Sequence, residues 1–502
     1  MNPPRSSGVL LHPVSLPSEY GIGDLGQAAY QFVDFLVAAK QSLWQVLPLG
    51  PTGYGDSPYA SLSSYAGNPL LIDLERLVEK GDLFPDDLGS LSESPSPRVD
   101  YGAVIEHKMR LLRRANKGFR NRSSRKRQVA FEQFCAEKRR WLDDYAFFAA
   151  LKAAHQGTMW NTWELDIVQR KPEAMAHWRD ELADEIHFQK YVQFLFFQQW
   201  TTLRCYANER GIKIVGDIPI FVAADSAETW SHPELFCVDE KGQLTVVAGV
   251  PPDYYSPTGQ RWGNPLYRWD KIADDGYGWW IERIQCVLEL VDILRIDHFR
   301  GLQAYWEIPA TEPTAVKGRW LPGPGDAFFE AVRGALGDSL PIIAEDLGMI
   351  TDAVRDLRKR AGLPGMKVLQ FAFGEGPEHE YLPHNFTSDC VVYLGTHDND
   401  TTLGWFRSLK QQERDSCLRY LGRDGHDIVW ALMHLAFMSV ADVVIVTAQD
   451  LLELGSRARM NTPGTSSGNW QWRYRPGALN DDVARRLGEF TQTFGRVVEE
   501  EE

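Results

Sequence analysis

Cysteine is scarce and scattered in this chain. The six residues, Cys135, Cys205, Cys237, Cys286, Cys390 and Cys417, form no CxxC pair and sit mostly in apolar stretches such as CVLELVDIL. This excludes a disulfide scaffold or a zinc ribbon and reads as reduced core thiols in a reducing compartment. Long hydrophobic runs are missing too. No segment approaches the run of about 18 apolar residues that marks a membrane helix, and the N-terminal MNPPRSSGVLLHPVSLPSEYGIGD has no apolar stretch of signal-peptide length. A cytoplasmic protein with no membrane partner is expected, and a plastid-stroma form stripped of its transit peptide would read the same way.

Positive charge is also in deficit. Against 68 Asp and Glu stand 53 Lys and Arg, for a formal charge of −15. Phosphate backbones are held by clustered cations, so nucleic acid is not the expected ligand. One stretch runs the other way: RLLRRANKGFRNRSSRKRQ, from Arg110 to Gln128, reads as a solvated helical face, with a polyanion grip as the alternative. No internal repeat, low-complexity linker or domain break appears, apart from the acidic tail Glu499 to Glu502, which is expected to be disordered.

What the chain does have is alternation. Short β-rich segments lie at 42–50, 67–74, 212–221, 292–301, 341–348, 366–373, 391–398 and 442–452, with helical spacing between several of them. In QAAYQFVDFLVAAK, Phe32, Phe35, Leu36 and Ala39 share one face, and the helical run through FQKYVQFLFFQQWTTLRCYANERG stops at Gly211 just before a strand. Parallel strands joined by crossover helices fit this order, and eight of them close naturally into a (β/α)₈ TIM barrel of the α/β class. A length of 502 residues would suggest roughly three domains at ~150 residues each, but one barrel with insertions can absorb it. The expected organisation is therefore a single catalytic barrel over 1–502. Residues 75–211 form a mainly helical insertion after the second strand, and 222–291 form a loop-rich insertion over the active face.

Barrel chemistry sits at the C-terminal ends of the strands. Four of the expected strands finish in an acid: Asp217, Asp297, Glu345 and Asp398. The period of two puts Arg295 and Asp297 on one face, where a guanidinium favours the charged carboxylate, as a nucleophile requires; a buried structural ion pair is the alternative. Glu345 follows Pro-Ile-Ile-Ala and precedes Asp346, so one of the two acids should face inward. A glutamate among apolar neighbours gains a raised pKa, as a general acid needs, although helix capping or ion pairing fits either acid equally well. In VVYLGTHDND, His397, Asp398 and Asp400 would be the candidates for a divalent metal, but no second histidine lies at a ligand spacing, so neither metal nor cofactor is expected. Two carboxylates flanking a bond between sugars are the minimal machinery of glycoside cleavage.

Aromatic residues point the same way. The 17 Trp and 18 Tyr include many outside helical stripes: Tyr54 and Tyr59, Tyr254, Tyr255 and Trp262, and Trp470 and Trp472. Flat rings in loops suit the apolar faces of pyranose rings, with core packing the alternative for any one of them.

Taken as an ordered set, these segments resemble one family, the amylomaltases or 4-α-glucanotransferases, relatives of the α-amylase superfamily that include the plastid disproportionating enzymes. The resemblance runs nearly end to end, through SLPSEYGIGDLG (15–26), QVLPLGPTGYGDSPY (45–59), GDIPIFVAADSAETW (216–230), GVPPDYYSPTGQRWGNPLY (249–267), RIDHFRG (295–301), AEDLG (344–348), LGTHDND (394–400) and MNTPGTSSGNWQWR (460–473). It implies Asp297 as nucleophile, Glu345 as general acid/base and Asp398 as transition-state stabiliser. It places Arg295 and His397 around the reacting glucosyl unit with Tyr59 and Asp217 nearby, and makes 250–265, with Asp253, Gln260 and Trp262, a lid facing Tyr54. The implied substrates are α-1,4-glucans and maltooligosaccharides, with glucose as acceptor or product. The implied reaction is transfer with retention, through a glucosyl–aspartate intermediate. An α-glucan hydrolase, a catalytically dead glucan-binding protein and a sugar-phosphate isomerase barrel are the competing readings. The resemblance is weak over 75–211.

Overall fold

The computed structural model describes residues 5–89, 96–253 and 256–498; the acidic tail and the pair Tyr254 and Tyr255 lie outside them. The strands in chain order are β1 (Ser6–Leu10), β2 (Leu43–Gln45), β3 (Lys213–Pro219), β4 (Val246–Val250), β5 (Gln260–Pro265), β6 (Ile293–Asp297), β7 (Ala304–Pro309), β8 (Arg319–Pro322), β9 (Ile342–Ala344), β10 (Gly365–Val368), β11 (Cys390–Tyr393) and β12 (Val443–Thr447). Eight of them form a parallel sheet in the order β10-β11-β12-β1-β2-β3-β6-β9. The two ends of that sheet meet where the Ala344 N–H donates to the carbonyl of Pro364, one residue before β10, at 2.9 Å. This completes the (β/α)₈ barrel. Leu10, Leu43, Val215, Ile343, Tyr393 and Ile445 are among the side chains that fill its interior, and helices cover the outside.

One expected strand needs correction and one strand was not expected. The segment 67–74 is no strand: Asn68 caps a single 3₁₀ turn over Pro69–Leu71, its side chain accepting from the Leu70 N–H. Two glutamines of the helix Ala183–Asn208 take the place of a ladder. Gln193 exchanges bonds with Gly67 at 2.7 and 2.9 Å, and Gln199 with Asp73 at 2.8 and 3.0 Å. A Cβ at Gly67 would stand 1.9 Å from Phe196, so only glycine admits this helix. The first barrel strand is instead β1, Ser-Ser-Gly-Val-Leu, which the reading of the sequence missed. It pairs with β12 from Ser6↔Val443 to Leu10↔Thr447 and with β2 through Gly8↔Leu43, where a Cβ on Gly8 would meet the Leu43 carbonyl at 2.4 Å.

The strands are also shorter than their apolar runs. After β6 and β10 the chain turns into 3₁₀ helices at Phe299–Leu302 and Leu369–Phe371, and after β12 into the helix Ala448–Leu451. Glu345 and Asp398 therefore lie past the ends of β9 and β11, whereas Asp217 and Asp297 lie within β3 and β6.

Between β2 and β3 lie the helices Tyr101–Arg122, Arg125–Glu137, Arg139–Ala154, Pro172–Glu181 and Ala183–Asn208. The basic stretch lies on the first two, where its cations are drawn into ion pairs. Arg127 grips Asp82 at 2.6 and 2.7 Å, Arg114 reaches Asp87 at 2.5 Å and Arg120 reaches Asp184 at 2.7 Å. A polyanion would have to compete with these carboxylates. The stretch 222–291 is more ordered than a set of irregular loops. Its β4 and β5 join β7 and β8 in an antiparallel sheet of order β5-β4-β7-β8, so Gln260–Pro265 at the end of the expected lid is a strand. All six cysteines are free thiols; Cys390 and Cys417 are buried, whereas Cys205 is exposed on the last turn of its helix rather than in the core. Among the described residues no helix is long and apolar enough to cross a membrane.

Candidate active site

β3 and β6 lie side by side in the register Asp217↔Arg295 and Pro219↔Asp297, so neighbouring strands deliver two acids and a guanidinium to one spot. Arg295 divides its fork between them: Nη1 donates to Asp217 Oδ2 at 2.6 Å and Nη2 to Asp297 Oδ1 at 2.8 Å. The Arg295 side chain is only 4% exposed, and Asp297 opens to solvent at 29%. Burial works against the Arg295 charge, but the two carboxylates outweigh it and hold the pKa well above the ordinary value. Burial pushes Asp217 up to about 6, against the pull of Arg295. The Tyr59 hydroxyl donates to Asp217 Oδ2 at 2.7 Å, and burial beside that carboxylate drives its own pKa well up, so it remains a donor.

Glu345 is the first residue past β9. Its Oε2 accepts the backbone N–H of His298 at 2.7 Å and its Oε1 that of Leu347 at 2.8 Å. Both bonds favour the carboxylate, yet desolvation and, next, the charge of Asp297 win and push the pKa up to about 8. The neighbouring Asp346 turns outward, accepting the Met366 N–H at 2.7 Å and facing Arg358 at 3.2 Å. The pair therefore splits between site and scaffold as expected.

Asp398 lies in the turn after β11, with Asn461 Nδ2 on its Oδ1 at 2.6 Å, His397 Nε2 at 3.4 Å from its Oδ2, and Arg459 holding its carbonyl at 2.6 Å. Asp400 points elsewhere, accepting from Ser456 Oγ at 2.7 Å. Among the described residues no group of three or more His, Cys, Asp or Glu converges as metal ligands. His397 stacks on Tyr59 at 5.0 Å and 15°, and Trp470 leans on both rings at 5.9 Å. Below it, His12 is pushed down to about 3 by burial and by His397, and so stays neutral.

Asp297, Asp398, His397 and Tyr59 open into a groove of about 960 Å³, whose wall also includes Tyr54, Gln260 and Trp262. Tyr54 is 84% exposed at its rim. On β5, Trp262 donates its Nε1–H to Gln260 Oε1 at 3.1 Å and sets its ring edge-to-face with His298 at 4.8 Å. Asp253 Oδ1 accepts the Ser256 N–H at 2.7 Å, a contact within the segment 250–265 itself.

Four residues at this site were not singled out from the sequence. Asn461 and Asn264 line the groove from within segments quoted for the resemblance, and Trp470 was noted only as a loop aromatic. His298 is left-handed at φ 56°, ψ 47°, and its ring nitrogen Nε2 is buried without a partner. Its position directly after Asp297 was the available signal.

Comparison with known proteins agrees with this geometry. Residues 11–480 match the family described as 4-alpha-glucanotransferase. The chain is 51% identical to a 4-alpha-glucanotransferase of Thermus thermophilus, over 99% of this chain and 100% of that one, and 50% identical to one of Synechocystis sp., over 98% of each. The fold superposes on an amylomaltase of Streptococcus agalactiae in complex with acarbose with a TM-score of 0.95 at 40% identity, covering 98% of this chain and 99% of that one. Matched at half identity from end to end, and carrying its polar groups at the mouth of the same barrel, the chain belongs to the 4-alpha-glucanotransferase family and is an enzyme of that class.

Proposed function

We propose that the protein moves α-1,4-glucan segments between maltooligosaccharides by a retaining double displacement. The observation that carries this is the contrast between two adjacent carboxyl groups: Asp297 is clamped by Arg295, while Glu345 is pushed up to about 8 and is mostly protonated at neutral pH. In the first half, Asp297 attacks the anomeric carbon as Glu345 protonates the departing glycosidic oxygen. The bond to the leaving sugar breaks and a β-glucosyl ester of Asp297 forms. In the second half, the Glu345 carboxylate takes the proton from an acceptor hydroxyl, which attacks the same carbon and restores the α configuration. Asp398, steadied by Asn461 and His397, holds sugar hydroxyls and offsets positive charge on the ring at the transition state.

The two inserted segments serve the one barrel: 222–291 brings the lid over the groove and 75–211 builds its flank. Trp262 and Gln260 on the lid strand, Tyr54 at the rim and the Tyr59–His397 stack supply ring faces and hydroxyl partners. Asp253 secures the loop. The acarbose carried by the Streptococcus agalactiae amylomaltase suits a groove of this kind. Glucose serves as an acceptor or product. The six free thiols favour a reducing compartment, the cytoplasm.

The test is maltotriose alone. Transfer yields glucose and a ladder of longer chains while total reducing ends stay nearly constant. Reducing ends that rise as fast as maltotriose disappears would make the protein a hydrolase.

A further inference from the structure

The groove that holds Asp297 does not stop at the barrel mouth. Lys152, Gly157 and Met159 line the same space, and all three belong to the helical segment between β2 and β3. They come from the last turn of the helix Arg139–Ala154 and the bend after it.

This tip is fastened to the loop that follows β3. Lys152 Nζ donates to Asp225 Oδ2 at 2.6 Å and to the carbonyls of Gly157 and Thr158 at 3.1 Å each. Trp160 adds two more bonds to that loop: its backbone N–H reaches Asp225 Oδ1 at 3.3 Å, and its indole N–H reaches the carbonyl of Ala224 at 2.8 Å. Trp160 is itself buried, and Gly242 lies so close that a Cβ there would stand 2.4 Å from its ring. The wall is therefore set before any ligand arrives, which lowers the ordering cost of binding.

Met159 stands between these anchors, yet the residue is 44% exposed. A single exposed apolar residue on an open surface needs no explanation. Held on a rigid wall of a catalytic groove, an unbranched, polarisable side chain is suited to the apolar face of a sugar ring. Beside it, the three N–H groups of Lys152 are all engaged within the wall, whereas Asp225 Oδ2 keeps a lone pair that can accept a sugar hydroxyl. A groove of about 960 Å³ is at the upper end of the ~300–1,000 Å³ that encloses a drug-sized ligand, so it has room for several rings.

We propose that Met159 and the Lys152–Asp225 pair form an outer glucan subsite, built by the helical segment, that contacts α-1,4-linked units beyond those a trisaccharide places at Asp297. The inference rests on the glucan-transferring reading given above. It makes the helical segment a determinant of chain-length preference.

The experiment compares maltotriose with maltoheptaose for the wild type and for Met159→Ala, with thermal midpoints measured in parallel. Loss of one half-exposed packed side chain is expected to lower the ratio of kcat/KM for maltoheptaose to that for maltotriose about tenfold, with the midpoint unchanged. Calorimetric titration in the Asp297→Asn background should show the same selective weakening of maltoheptaose binding when Met159→Ala is added. A ratio equal to that of the wild type, or an equal fall for both sugars, overturns the subsite. The two readings fail separately: if the wild type liberates reducing ends as fast as it consumes maltotriose, the transfer reading falls, while the length ratio still decides the role of this wall.

Discussion

The backbone N–H of His298 donates to Glu345 Oε2 at 2.7 Å, so the residue next to Asp297 in the chain orients the carboxyl just past the neighbouring strand. The ring of the same residue carries the edge-to-face contact with Trp262 on the lid strand. One residue thus touches both Glu345 and Trp262, through different atoms. Its φ of 56° is a left-handed conformation that glycine adopts without strain. His298→Gly is expected to keep the amide bond to Glu345, and with it the alkaline limb of the pH–rate profile, while losing the lid contact and raising the ratio of hydrolysis to transfer. A moved alkaline limb with an unchanged ratio would reverse that division of labour.

The pKa of Glu345 gives the sign of two pH effects. The proposed first half-reaction draws on its proton, so kcat/KM should fall as pH rises through about 8. For stability, the folded value lies above the ~4.3 of a free glutamate, so the native state binds the extra proton between those two values and stability declines as pH rises through that window. Glu345→Gln should therefore raise the thermal midpoint relative to the wild type at pH 8 and change it little at pH 4. A midpoint lowered equally at both pH values would mean that the carboxyl is needed for the fold.

The chemical roles separate with an activated donor. Glu345→Gln should lose roughly 10²–10⁴-fold with maltotriose and recover much of that with an α-glucosyl fluoride, whose leaving group needs no proton. Asp297→Asn should remain inactive with both. Equal rescue of the two variants would remove the assignment.

Truncating the lid aromatic should redirect the intermediate. Trp262 is 38% exposed and contacts His298 and Gln260. Trp262→Ala is expected to cost ~1–3 kcal/mol in acceptor binding and to admit water, so transfer falls more than hydrolysis. Reducing-end counts during maltotriose turnover measure the partition, and a count that stays flat would acquit the lid.

A metal should be dispensable. His397, Asp398 and Asp400 do not converge, because Asp400 bonds to Ser456. Exhaustive chelation should leave activity unchanged; loss that calcium or manganese restores would revive the metal reading.

Much of this architecture can be read from the residues, and the exceptions have physical causes. The acids at the barrel mouth were visible because a charged residue closing an apolar run is conspicuous, as in Ile-Leu-Arg-Ile-Asp before His298. β1 was not, since Ser-Ser-Gly carries little strand propensity and becomes a strand only because β2 and β12 present edges to both sides of it. Conversely, Gly67 to Leu74 has the apolarity of a strand but is buried by helix Ala183–Asn208, whose glutamines satisfy its backbone. β5, Gln-Arg-Trp-Gly-Asn-Pro, reads as a loop by its Gly and Pro and owes its extension to β4. His298 escaped for a different reason: its backbone amide does the work at Glu345, and an amide leaves no mark on residue type.

The pairing of β1 with β12 has a consequence for how the protein is made. Ser6 finds its partner at Val443, so β1, once synthesised, must wait until the chain reaches β12 before one of its two edges is covered. Contacts of such long sequence separation slow folding and leave strand edges open in the meantime, where another nascent chain can pair with them. Late arrival of β12 makes synthesis, rather than the finished barrel, the stage at which this protein is most exposed to aggregation, and a chain that stops short of Val443 leaves β1 with one edge permanently unpaired.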